Sequence, residues 1–242
     1  MKKTSILVFL VSGILAVSFA FSQTADEIIA KNLEKKGGIE KLKAIQSIKM
    51  TGKVISQAVE MPMVMWAKRP NMLRIESTFQ DKKIVQAFDG EKAWWIMPFL
   101  GSEDPQEMTG MQADSIKEQA DFDGPLVNYR EKGHKVELLG KEDMAGTEVY
   151  KLRITYKDGK EKFFFLDTES CIELKQSETV DYQGTPLHVE RFFGDYKEVN
   201  GILIPHSIEA RVNNNPQSQI TIESIELNPE IEDEFFKMPE KK

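Results

Sequence analysis

The sequence predicts a mainly β protein with some α structure (α+β), built on a strongly curved antiparallel sheet of roughly eleven strands. Three observations lead there. Apolar and polar residues alternate at period two through most of the chain beyond Ser47, the pattern of half-buried strands. Turn pairs, notably Asp158-Gly159, Gln183-Gly184 and Asn200-Gly201, separate the runs. Most connections are also too short for the crossover of about a dozen residues that parallel pairing requires. A meander of that size curls heavily.

The first stretch, Met1 to Ser22, carries Lys2 and Lys3, then an almost unbroken apolar run from Ile6 to Phe21, and ends Ala20-Phe21-Ser22 ahead of Gln23. Small residues stand at the minus-three and minus-one positions of a cut after Ser22, so this reads as a cleaved secretory signal. A retained anchor is the competing reading, for which the apolar run is short. No Cys follows the cut, so the chain is not itself acylated there. Cleavage lowers the 32 basic residues to 30 against 39 acidic ones and takes the formal charge from −7 to −9. That balance argues against a nucleic-acid partner. No linker rich in Gly, Ser or Pro divides residues 23–242, which read as one domain of a soluble, exported protein.

Thr24 and Glu27 have the spacing of a capping box, and Ile28, Ile29 and Leu33 follow as an apolar stripe at helical spacing. Gly37-Gly38 supplies a stop. Ile39, Leu42 and Ile45 suggest a second short helix, and the first strand begins near Ser47. The stripe of this hairpin is expected to pack on the sheet.

From Met61 to Pro98 four short strands follow one another. Met61, Met63, Met65 and Ala67 share one strand face, and Leu73, Ile75 and Phe79 share a face of the next, making a continuous apolar wall. Pro70 separates the two strands by fixing its own φ and biasing Arg69 toward extended geometry. Asp89-Gly90 reads as a two-residue hairpin turn, in which Gly takes the positive φ. Methionines suit variable apolar partners, being unbranched and polarisable. Ordinary sheet core is the alternative.

Between Gly101 and Gln119 the pattern changes. Ser102-Glu103-Asp104-Pro105 looks like a helix entry, and Met108, Met111 and Ile116 form a loose apolar face that ends at Phe122-Asp123-Gly124-Pro125. A simple crossover helix and a movable cover over the apolar wall both fit. Seven further strands follow Tyr129, and the Phe235-Phe236 pair is expected to anchor the tail to the body.

Chemistry has no visible carrier. His134, His188 and His206 are too dispersed for a metal motif, and nucleophile elbows, phosphate loops and paired-cysteine spacings are missing from the sequence. Cys171 has no internal partner and reads as a buried hydrophobe. No catalytic residue, metal or cofactor is expected. An enzyme would need carboxylates converging from distant strands, as in glycosidases, which a sequence alone does not display.

Ala67-Lys68-Arg69-Pro70-Asn71-Met72-Leu73-Arg74, then Phe88-Asp89-Gly90 with Trp94, resemble the opening sheet of the LolA/LolB-like lipoprotein carriers. The runs Asp195 to Pro205 and Asn228 to Pro239 are similar to the longer LolA-like sorting proteins. The resemblance implies an unclosed antiparallel barrel whose concave side is covered by helices, enclosing an apolar cavity for the acyl chains of lipoproteins or other lipids. It also implies transfer across the periplasm, from an inner-membrane ABC transporter to an outer-membrane receptor. The family's Arg-Pro arginine holds the cover shut by hydrogen bonds, a role that falls on Arg69; a bulky apolar residue four positions on, here Leu73, is associated with cargo transfer. Met63, Met65, Ile75 and, on the family match, Trp94 complete the expected ligand-binding set, with Trp95 pointing the other way. A non-catalytic envelope scaffold that binds proteins along the sheet edge is the alternative. The chain is longer than the short carriers, so its cargo and partners could differ.

Overall fold

The computed structural model describes residues 23–240, and the export segment read in Met1–Ser22 lies outside them. Helix α1 (Ala25–Lys35) starts in the expected capping box: Thr24 Oγ1 accepts the Glu27 N–H at 3.3 Å, and Glu27 Oε2 accepts the Thr24 N–H at 2.9 Å. Gly37 and Gly38, at φ +119° and +87°, turn the chain into α2 (Ile39–Ala44).

One antiparallel sheet of thirteen strands forms the body. Its first meander is β1 (Ser47–Ser56), β2 (Val59–Lys68), β3 (Met72–Phe79), β4 (Lys82–Phe88), β5 (Ala93–Met97) and β6 (Ser102–Glu107). Its second is β7 (Lys135–Met144), β8 (Thr147–Thr155), β9 (Glu161–Asp167), β10 (Glu173–Tyr182), β11 (Thr185–Val199), β12 (Ile202–Val212) and β13 (Asn215–Leu227). The two meanders join where β1 pairs with β13, leaving β6 and β7 at opposite open edges. The barrel is therefore unclosed, as expected.

Two local readings are corrected. Residues 102–105 start a strand, not a helix: among the described residues β6 pairs only with β5, and an edge strand tolerates Pro105 because a ladder donor is dispensable there. The Asp89-Gly90 turn is longer than two residues. Asp89 Oδ1 accepts the N–H groups of Glu91 at 2.9 Å and Lys92 at 2.7 Å, so the side chain organises a four-residue link in which Gly90 takes φ +99°.

This topology dictates the cover. Leaving β6 at one edge, the chain must reach β7 at the other, and the connection, residues 108–134, crosses the concave face and contains α3 (Gly110–Gln119). Crossover helix and cover are one element.

Row-by-row pairing fixes the two faces. Leu73, Phe88 and Ala93 stand directly opposite one another across β3, β4 and β5, whereas the next row is Arg74, Ala87 and Trp94. The first row, with Met65, Ala67, Ile75 and Trp95, packs against Ala113, Ile116 and Ala120 beneath α3. A second cluster joins Ile28 and Ile29 of α1 and Leu126 of the connection to Leu152, Ile154, Phe164 and Leu166 of β8 and β9. On the convex face the tail crosses β2 to β5. Phe235 meets Trp66 edge-on at 5.1 Å, and Trp94 Nε1 donates to the Phe236 carbonyl at 2.8 Å, so the Phe pair anchors the tail as expected. Cys171 is buried at the turn before β10.

Gly52 marks a close crossing at the bulge between β1 and β13, where an added Cβ would lie 2.0 Å from the Thr221 carbonyl oxygen. Gly52→Ala is expected to lower stability by about 1–2 kcal/mol, overpacking outweighing the entropy gained in the unfolded chain. A denaturant melt that leaves the midpoint unchanged would count against this crossing.

Candidate functional site

The covering connection is fastened just beyond α3 by one side chain. Arg69, at the start of the β2–β3 link, donates from Nε to the Ile45 carbonyl at 2.6 Å and from Nη2 to the Leu42 carbonyl at 3.0 Å. It also forks onto Asp123, Nη1 to Oδ2 and Nη2 to Oδ1, both at 2.6 Å, and its guanidinium lies 4.5 Å from the Phe122 ring centre. Only a planar fork with donors on several edges can bind α2 and the connection at once. The guanidinium beside Asp123 holds that carboxyl below the usual aspartate range. Nearby, Lys132 Nζ donates to both oxygens of Asp121 and to the Gly124 carbonyl.

The last turn of α3 is fastened to the opposite half of the sheet. Lys162 on β9 is 2 % exposed and projects from the same face as Phe164; its ammonium pairs with Glu118 of α3 and stands 3.0 Å from Glu178 of β10. Arg191 of β11 reaches the same Glu178 oxygen at 3.3 Å. A buried cation needs such partners. Here they tie α3 to the second meander.

Three hollows surround this connection. The first, of about 320 Å³, lies beneath α1, α2 and residues 121–127, with Leu33, Leu42, Ile45, Ile48, Met50 and Ile202 among its walls. The second, of about 620 Å³, lies between α3 and strands β10 and β11, with Glu118, Gln176, Glu178 and Arg191 beside Met111, Val180 and Val189. The third, of about 260 Å³, lies across α3 against Gln86 and Trp95. Met111, Ser115 and Gln119 border the second and third, while Pro125 and Gln176 border the first and second. Moving one segment would alter all three.

The structure brings together only part of the expected set. Arg69 sits at the fastening. Met65, Leu73 and Ile75 lie on the concave face, packed beneath α3 and not lining the three hollows. Met63 shares that face, opposite Gly52 and Ser77. Trp94 does not join them: it is fully buried on the convex face under the tail, and Trp95 takes the place facing α3. Parity decides this, since adjacent strand residues point to opposite faces. Asn32, Asp123, Lys162 and Glu173 were not read as site residues. Two left a signal: Asn32 is four residues after Ile28 in an apolar helical stripe, and Lys162 shares the parity of Phe164 and Leu166.

Among the described residues, no group of three His, Cys, Asp or Glu side chains is placed to hold a metal ion, and no helix is long and apolar enough to cross a membrane. An open antiparallel half-barrel with a helical cover clasped over its concave face is the LolA-like fold. No protein-family model and no curated protein matches the sequence. Solved structures share its fold: a LolA superfamily protein from Nitrosomonas europaea superposes with 14% identity and a TM-score of 0.58, covering 89% of this chain and 98% of its own. An outer-membrane lipoprotein-sorting protein domain from Vibrio parahaemolyticus matches with 14% identity and a TM-score of 0.56 over 86% and 97%. A DUF1329 family protein from Desulfovibrio piger matches with 12% identity and a TM-score of 0.60 over 89% and 98%.

Proposed function

We propose that this chain is a non-catalytic carrier that takes up the acyl chains of lipoproteins or other lipids beneath its cover and ferries them through the periplasm. Signal cleavage after Ser22 would release residues 23–242 as a single exported domain. An inner-membrane ABC transporter as donor and an outer-membrane receptor as acceptor are the partners this role requires. The observation that carries the reading is the fastening of one connection by Arg69 among three hollows that all border it. A cover that fills its own groove with Ala113, Ile116 and Ala120 can be exchanged for an acyl chain, because both present hydrocarbon to Leu73, Ile75 and Met65. Each methylene taken from water contributes about 0.8 kcal/mol, so a chain entering the groove can offset the lost helix contacts. The first and second hollows both fall within the ~300–1,000 Å³ of small-ligand sites. The fold likeness to a lipoprotein-sorting domain supports the same cargo class.

Native mass spectrometry of the protein purified from the envelope of its own cells is expected to show a bound lipid or acylated protein. Repeated recovery of the bare chain, under conditions that preserve lipid complexes of other carriers, would overturn the reading.

A further inference from the structure

The first hollow is not uniformly apolar. Asn32, on α1, forms part of its wall and has no exposed surface. Its Nδ2 donates to the Cys171 carbonyl at 2.8 Å, which fixes the amide orientation, since the flipped amide would set two acceptors against each other. Oδ1 is then buried with no hydrogen-bond partner from the protein. Of the other polar residues of this wall, Asp121 and Asp123 are held by Lys132 and Arg69, and two are turned to Glu173: Gln176 Nε2 donates to Glu173 Oε1 at 2.6 Å, and Lys36 Nζ stands 3.6 Å from Oε2. Burial pushes the Glu173 carboxyl up, against the pull of Lys36 and Gln176. Among these groups, Asn32 Oδ1 is the buried acceptor left without a protein partner.

A purely greasy hollow would be better walled by Leu at position 32, because an unmet buried acceptor destabilises its surroundings. An unmet acceptor beside an apolar channel fits one kind of occupant. We infer that the hollow under α1 and α2 selects acyl chains whose first polar group carries a hydrogen-bond donor, an amide N–H or a hydroxyl, which Asn32 Oδ1 accepts while Leu33, Leu42, Ile45 and Met50 bury the chain. This rests on the carrier reading and adds the head chemistry of its cargo.

Three probes of equal chain length test it by competition against a fluorescent fatty acid: N-methylpalmitamide, methyl β-hydroxypalmitate and methyl palmitate. The exported chain is expected to bind one donor-bearing probe about tenfold more tightly than the plain ester, the worth of one buried hydrogen bond. Preference for the amide identifies an N-acyl head, and preference for the hydroxy-ester identifies a hydroxylated chain. Asn32→Leu should bring the preferred probe within about twofold of the ester. Because that variant also loses the bond to Cys171, a second readout uses the unaltered protein: the N–H of bound, nitrogen-labelled N-methylpalmitamide, or the hydroxyl of the hydroxy-ester, should be protected from exchange. Equal affinity for all three probes overturns the donor site and leaves the carrier reading standing. Binding of none removes both. A donor preference that persists in folded Asn32→Leu overturns the assignment to Asn32.

Discussion

Arg69→Leu is expected to free the covering connection and to lower stability by about 3 kcal/mol, the low end of the ~3–5 kcal/mol that follows removal of one partner from a buried ion pair. The low end applies because the pair is partly wet, with side chains 20 % and 24 % exposed. Four hydrogen bonds disappear together, and Asp123 stays behind without its cation. Amide exchange should accelerate at residues 110–125 and in α2 well before the sheet is affected, since these are the segments the guanidinium joins. Arg69→Lys should recover little, because an ammonium is a point charge and cannot span the two carbonyls and a carboxylate. Acid provides an independent check. The folded-state pKa of Asp123 is depressed, so its contribution is present above the ordinary aspartate value and is lost as pH falls through the lower folded value. The acid limb of the stability curve should therefore flatten in Arg69→Leu. An exchange pattern identical to the parent protein at 110–125 would take Arg69 out of the fastening, and faster exchange with unchanged lipid transfer between vesicles would separate the fastening from transport.

How much of this was legible follows from the kind of signal each feature leaves. Strands announced themselves through alternation and Asp-Gly or Asn-Gly turns, and α1 through Thr24, Glu27 and its stripe, because those signals act between near neighbours. β6 was hidden, since Pro105 is permitted in it only by the absence of a strand on its far side, which is a fact of topology. Arg69 could be singled out by its neighbour Pro70, but its partners Leu42, Ile45 and Asp123 come from elements 24 to 54 residues away. Only the sheet order, with β6 and β7 at opposite edges, brings Asp123 over the groove. The face of each strand was harder still. A period-two pattern states that two faces differ and does not say which is concave, and in the run Ala93-Trp94-Trp95-Ile96 both faces are apolar because a helix covers one and the tail covers the other.

That ambiguity makes the two tryptophans a decisive pair. Trp94→Ala should lower stability by about 3–5 kcal/mol, the range for truncating a large buried aromatic. The ring is fully enclosed by Val85, Ala87, Ile96 and Met238, and its indole N–H holds the Phe236 carbonyl. Losing it leaves a cavity and unfastens the tail from β5, so removing residues 229–242 should reproduce part of the loss. Lipid affinity of the variant, measured where it remains folded, should stay within about twofold of the parent, because the strand separates this cluster from the concave groove. Trp95→Ala should invert the pattern. Its ring is only half-buried against α3 and borders the third hollow, so stability should fall by about 1–2 kcal/mol while affinity for acyl probes changes more. If Trp94→Ala instead abolished lipid binding with stability intact, the convex cluster would have to open to cargo, and the groove beneath α3 would no longer be the place where acyl chains lie.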